Sequence, residues 1–181
     1  MKLCVTLNTT KKILMINLPA PFTSCTCSRN HVPHESCQDK YTLLEKGQVA
    51  QLKPKNHREI VKLIVIDGCV IKAKNSSKCD GLFIYENDKG QVFSFLVELK
   101  NSEKWPKPVH QLEAVRNTSI YKSLISSLSI KKRHEIFVVV GSYIPTALEK
   151  RAIENSVGFR VKHIPRTRNT PYPDLKEYLV S

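Results

Sequence analysis

Between Lys78 and Lys100 the chain holds two apolar runs around a short polar turn, and no other stretch limits the possible folds as tightly. Gly81-Leu82-Phe83-Ile84-Tyr85 and Val92-Phe93-Ser94-Phe95-Leu96-Val97 are rich in β-branched and aromatic residues, with Asn87-Asp88-Lys89-Gly90 between them. The pattern predicts a β-hairpin. A loop of Asp88, Lys89 and Gly90, with Gly90 in the left-handed conformation, sets Asn87 opposite Gln91. Counting back along the ladder then sets Asp80 opposite Glu98. Side chains alternate along a strand, so Glu98 and Lys100 share one face. Phe93, Phe95, Val97 and Leu99 share the other, a candidate core face. Two carboxylates and an amine therefore converge at one end of the hairpin.

Two half-buried carboxylates that close repel, and one retains a proton unless a cation intervenes. Hard oxygen ligands suit Mg2+ or Mn2+. Magnesium held by one or two carboxylates keeps waters and completes its shell from a phosphate substrate. It polarises the phosphoryl oxygen and makes a water more acidic. Lys100 is placed to orient or deprotonate that water, or to stabilise charge growing on phosphate. The plain alternative is an exposed hairpin with a solvated Glu98–Lys100 pair.

Charge points the same way. Lys and Arg number 29 against 16 Asp and Glu, a formal net charge of +13 over 181 residues. A polyanion is the natural partner, because neutralising phosphates releases counterions. Basic charge also suits ribosome or membrane surfaces, so it supports phosphate chemistry without choosing it. The length predicts one domain with an appendage. No stretch reaches the roughly 20 apolar residues of a membrane span. Between Met1 and Ala20 the apolar patch Ile13 to Leu18 is short, interrupted by Asn17 and followed by Pro19 and Pro21. It predicts a strand or short helix rather than a secretory leader. Cys69, in a hydrophobic run, and Cys79, beside Asp80, read as free thiols. That usage fits a reducing, intracellular compartment, cytoplasmic or nuclear.

The front segment, residues 1–51, is distinct from the α/β unit expected over 52–181. Within it Cys25, Cys27, His34 and Cys37 form a candidate structural zinc set, with His31 as a substitute. The alternative is a polar loop with unpaired cysteines; a disulfide fits a reducing cell less well.

From Asn56 onward the periodicity becomes orderly. Asn56 is a candidate cap for a helix carrying Ile60, Val61, Leu63 and Ile64. Cys69 to Lys74 reads as a first strand, and the hairpin supplies the second and third. After Trp105-Pro106-Lys107-Pro108 a helix is expected over Val109 to Leu128. Ile136 to Gly141 is an unbroken apolar strand of the kind covered on both faces. A third helix is expected over Pro145 to Asn155, and a last strand over Val157 to Ile164.

That order, with Asp80 on the second strand and Glu98-x-Lys100 on the third, resembles the PD-(D/E)xK nuclease superfamily, the restriction-endonuclease-like fold. The resemblance covers residues 56–141. It implies an α/β fold with an αβββαβ core, a mixed central sheet flanked by helices. RecB-like and Holliday-resolvase-like members carry a glutamine on the helix after the third strand, and Gln111 stands there. Some members also carry a glutamate on the first helix, where Glu59 stands. By this resemblance Asp80 and Glu98 ligate the metal, Lys100 assists the attacking water and Gln111 orients the site. Cys79 replaces the family's proline, and Val115 stands where RecB-like proteins have a tyrosine.

The expected activity is Mg-dependent hydrolysis of DNA phosphodiester bonds, endo- or exonucleolytic, with RNA left open as a substrate. Lys131, Lys132, Arg133, Arg160, Lys162, Arg166 and Arg168, with His163 among them, are the candidate nucleic-acid contacts. Trp105 is a candidate base-stacking or wedge residue, or a lid over the core edge. His57 and His110 are candidate phosphate contacts. A homodimer, or protein partners in a nucleic-acid-processing assembly, fits the same reading. The alternative function is a non-catalytic nucleic-acid-binding or assembly protein that keeps the fold without the chemistry. A zinc-stabilised adaptor is the third.

Overall fold

A computed structural model describes residues 16–166 and 172–179. Arg168 and the apolar patch at Ile13 to Met15 lie outside the described residues. The rest forms three layers. The first is a small antiparallel sheet of β1 (Cys37–Asp39), β2 (Thr42–Glu45) and β3 (Gln48–Gln51). The middle layer is a five-stranded mixed sheet, in spatial order β4 (Ile60–Val65), β5 (Gly81–Glu86), β6 (Val92–Lys100), β7 (Glu135–Gly141) and β8 (Val161–Pro165). The helices α1 (Lys107–Asn117), α2 (Ser119–Ser127) and α3 (Ala147–Val157) form the third. β4, β5 and β6 run antiparallel as a meander, while β7 and β8 lie parallel to β6.

Alternation along the middle sheet explains both interfaces. Leu82, Ile84, Leu96, Phe137 and Val139 meet Val109, Leu112 and Val115 of α1 and Tyr121 and Leu124 of α2. The opposite parity, Phe83, Phe95, Val97, Leu99, Val138 and Val140, meets Leu43, Ala50 and Leu52 of the small sheet. The candidate core face of β6 is thus buried, but the other face is buried as well. From the described part of the front segment, Cys27, Cys37, Leu43 and Ala50 share a hydrophobic core with the middle sheet.

Several expected elements differ. Ile60 to Val65 is a strand, not a helix. Its apolar spacing fits either, yet Ile64 enters the helix-side core while Leu63 and Val65 enter the other, as only a strand allows. Asn56 caps no helix; its Oδ1 accepts from the backbone of Arg58 at 2.8 Å, closing a turn. Residues 69–74 form no strand either, because Val70 and Ile71 fold back to donate to Val65 and Ile66. Among the described residues no α-helix precedes the β4–β5–β6 meander; a 3-10 turn at Thr23–Cys25 and the small sheet come before it. The long helix divides at Thr118, whose hydroxyl accepts from Tyr121 N at 3.2 Å and restarts it as α2. Thr146 and Glu149 form a reciprocal capping box that opens α3.

The cysteines also pair against expectation. Cys25 is bonded to Cys69 and Cys27 to Cys37, with Cα separations of 5.7 and 5.9 Å. A disulfide sulfur offers no thiolate to a metal, so the expected zinc set of Cys25, Cys27, His34 and Cys37 is not assembled here. His34 instead engages Ser36, and His31 meets the Ser24 carbonyl. Cys69 is not free, and Cys79 is the one free cysteine among the described residues. Paired cysteines remove the cysteine argument for a reducing compartment. Among the described residues no helix is long and apolar enough to cross a membrane.

Candidate active site

The hairpin forms in the register that the turn dictates. Gly90 adopts φ +74, and Asn87 N donates to Gln91 O at 3.0 Å. Glu86 then pairs with Val92, and Gly81 with Val97. One step further, Asp80 stands beside Glu98. Asp80 N donates to Glu98 Oε2 at 3.1 Å, and Leu99 N donates to Asp80 Oδ2 at 2.6 Å. Each acid is thus held by the other's strand. Lys100 follows on the same face, its Nζ 2.6 Å from Glu98 Oε1.

This is a costly place for charge. The Glu98 side chain is fully buried and Asp80 is 7% exposed. Burial raises the Asp80 carboxyl from 3.8 to about 7, against the lowering effect of the Leu99 amide and the Lys100 ammonium. Burial, then the neighbouring Asp80, pushes Glu98 well above the usual carboxylate range. The Lys100 ammonium sits against Glu98 Oε1 in a short, charge-assisted contact that partly offsets this burial. Lys100 loses from burial but gains more from Glu98, which lifts it above the usual lysine range. It is an ammonium at neutral pH. Burial and the same two carboxylates keep the adjacent Cys79 thiol protonated.

Gln111 reaches the site from α1. Its Nε2 donates to Lys78 O at 2.8 Å, tying the helix to the chain just before Asp80. Its Oε1 is buried without a hydrogen-bond partner. Three contributors carried no sequence signal of their own. Lys78, paired with Asp67 at 2.9 Å, also donates to the carbonyls of Ile71 and Ala73, fixing the loop before Asp80. Glu103 lies 3.7 Å from Lys100 Nζ. Asn101, next to Lys100, accepts from Gln48 Nε2 at 2.7 Å and donates to Lys46 O at 3.3 Å. The β2–β3 hairpin therefore buttresses the end of β6. Gly141 fits beside it because a Cβ there would stand 2.6 Å from the Lys100 carbonyl oxygen.

Other expected residues lie elsewhere. Glu59 precedes β4 where Ile60 pairs with Glu86, at the opposite end of the sheet from Asp80. It is not a partner of the acid pair; it accepts from Lys55 N and pairs with Lys176 at 3.3 Å. Lys132, Arg133, Arg160 and Lys162 line a groove at the starts of β7 and β8, also far from Asp80. Lys131 immediately precedes them. Arg166 does reach the acid-pair end, but it is buried, donates to Gly47 O at 3.2 Å and lies over Tyr172, a structural rather than an exposed role. Trp105 is a core residue packed edge-on to His163, not an exposed stacking platform. His57 is exposed before β4, and His110 pairs with Glu113.

What the arrangement offers a cation is two carboxylates. Among the described residues no group of three or more His, Cys, Asp or Glu side chains is placed to hold a metal. Two carboxylates suffice for a magnesium that keeps its waters and awaits phosphate oxygens. The donor set fits such an ion: two hard-oxygen ligands, buried side by side and mutually repelling. The chain matches no family model, and no significant match appears among curated proteins or solved structures.

Proposed function

We propose that this chain is a metal-dependent nuclease of the PD-(D/E)xK type that hydrolyses DNA phosphodiester bonds. The observation that carries the reading is the buried Asp80–Glu98 pair with Lys100 on the same face at one sheet end. The order of the meander, α1 and a parallel strand also supports the resemblance, although the first helix it implies is missing among the described residues.

A bound Mg2+ or Mn2+ would neutralise the carboxylates and polarise the scissile phosphate. The residues do the rest. Glu98 is pre-aligned by the Asp80 amide and Asp80 by the Leu99 amide, so little reorganisation is needed. The Lys100 ammonium donates toward a water or phosphate oxygen and stabilises the negative charge that grows on phosphate. Gln111 fixes α1 against the Lys78 carbonyl and so holds the Asp80 loop in place. A cleft of about 530 Å³ beside this helix is lined by Lys74, Ser76, Ser77, Lys107, His110 and Gln111, cations and hydroxyls suited to a phosphate backbone.

Incubation with duplex, branched and single-stranded DNA and with RNA, with and without magnesium, tests the reading. Metal-dependent cleavage lost in Asp80→Asn, Glu98→Gln and Lys100→Met supports it. Equal cleavage by all three variants would end it. Calorimetric titration with manganese separates an active site from a retired one, which would show no binding dependent on Glu98.

A further inference from the structure

The groove at the starts of β7 and β8 holds about 840 Å³, within the range of roughly 300–1,000 Å³ typical of small-molecule sites. Arg116, Lys132, Arg133, Arg160 and Lys162 line it, against one lining carboxylate, Glu135. Glu135 is engaged by the Tyr121 hydroxyl at 3.2 Å, and Arg160 is paired with Glu154. The other four cations have no carboxylate partner among the described residues. An uncompensated cluster of this kind is a standing field for phosphate.

Its floor is aromatic. Phe137 and Phe159 stack with centroids 4.1 Å apart, and the Arg116 guanidinium lies over both, 5.6 and 5.2 Å from their centroids. Phe93 stacks on His134 at 4.3 Å on another wall. Burial holds His134 below the usual histidine range, so that wall is neutral, with the two rings tilted by 32°. A guanidinium backed by two phenyl rings is a rigid planar cation, which favours a π-face over a point anion. Unpaired cations beside stacking planes are the pairing a nucleotide needs: phosphate on one, base on the other.

We infer that this groove is a nucleotide-binding site separate from the acid pair, taking a base against Arg116 or Phe93 and phosphate against Arg133, Lys132 and Lys162. The nucleotide is either free or part of a single strand. Roughly 17 Å of β6 separates Phe93 from Glu98 at about 3.4 Å per residue, so one nucleotide does not touch both. The inference does not rest on the nuclease reading.

Binding to the full chain is measured in EDTA, where no metal-dependent cleavage interferes. The probes are ATP and inorganic tripolyphosphate by calorimetry, and a fluorescein-labelled oligothymidylate by anisotropy. ATP is expected to bind at least about fivefold more tightly than tripolyphosphate, which carries the charge but has no base to stack. Arg116→Lys keeps the charge and loses the plane; it is expected to weaken the nucleotide probes about tenfold. Arg133→Glu is expected to weaken all three probes. Binding of ATP alone assigns a free nucleotide, and binding of oligothymidylate alone assigns a strand; either supports the site. No binding by either probe overturns it, as does binding indifferent to Arg116→Lys and Arg133→Glu in variants with wild-type circular dichroism. Equal affinity for ATP and tripolyphosphate, with no oligothymidylate binding, reduces the groove to an anion site and also overturns it.

Discussion

The two ends of the five-stranded sheet carry opposite charge in opposite environments. At the end of β6 two carboxylates are buried, close together, and answered by one ammonium. At the starts of β7 and β8 several cations stand exposed around an open groove. Buried charge is expensive and survives only where something repays it, whereas exposed charge costs little and is tuned by solvent and salt. The acid end is therefore expected to be sensitive to single atoms. The basic end is expected to be graded, shifting with each charge and with ionic strength.

The sharpest way to break this contrast is to remove the acid pair. Asp80→Asn and Glu98→Gln keep the shape and remove the charge, and each is expected to lower metal-dependent cleavage by about a thousandfold or more, a loss of several kcal/mol of transition-state stabilisation. Reversing a single groove charge is expected to cost far less in cleavage of a short duplex. A groove variant as damaging as Asp80→Asn would show that the ends are not functionally distinct.

Next in size is the dependence of stability on pH. The folded Asp80 carboxyl titrates near 7 against 3.8 in its ordinary state, so the folded protein binds more protons than the unfolded chain across that window. Stability then falls as pH rises from about 4 through 7, by an amount on the order of a few kcal/mol. Without metal, the thermal midpoint is expected to drop between pH 5 and pH 8, and Asp80→Asn should flatten that drop. Mg2+ or Mn2+ at pH 8 is expected to raise the midpoint in the wild type, because it binds only the folded site. No response to either ion would remove the metal from the reading.

How much of this was readable beforehand follows from the same contrast. The acid pair was legible because a short turn with a left-handed Gly90 fixes register, and register carries Asp80 to Glu98 by counting. The basic groove was legible only as scattered charge. Lys132 and Arg160 were visible as cations, but Arg116 on α1 and Phe159 join them only through the parallel crossover, which local spacing does not encode. Ile60 to Val65 was misread because its apolar spacing fits one helix face as well as a strand buried on both sides. The break at Thr118 hid inside a continuous helical pattern. The disulfides were beyond spacing altogether, since Cys69 finds its partner 44 residues away.

Those disulfides bear on the comparison because Cys27–Cys37 ties β1 to the segment before it, and the adjoining β2–β3 hairpin buttresses the end of β6. Chain-entropy arguments give roughly 4 kcal/mol for the Cys25–Cys69 loop and roughly 3 kcal/mol for the shorter Cys27–Cys37 loop. Reduction, or Cys27→Ser with Cys37→Ser, is expected to lower the denaturant midpoint by a corresponding amount. Hydrogen exchange should report the loosening first at the β2–β3 hairpin and Asn101, before the groove. Loosening that starts at the groove would contradict the layered support described for β6.

The smallest expected effect is the most discriminating for the geometry. Glu59 was a candidate ligand on a helix that does not form, and it sits at the opposite end of the sheet from Asp80. Its contacts are local: the Lys55 amide and the Lys176 ammonium. Burial opposes its ionisation, but the Lys55 amide, the Tyr85 hydroxyl and the Lys176 ammonium together draw its carboxyl below the usual range, so it is ionised and already neutralised at neutral pH. Glu59→Gln removes that ion pair and leaves the acid pair untouched. Cleavage within about twofold of wild type is expected. A collapse of metal-dependent cleavage in Glu59→Gln would mean that this carboxylate meets the metal after all. The strand at Ile60 to Val65, and with it the register that sets Asp80 beside Glu98, would then have to be redrawn.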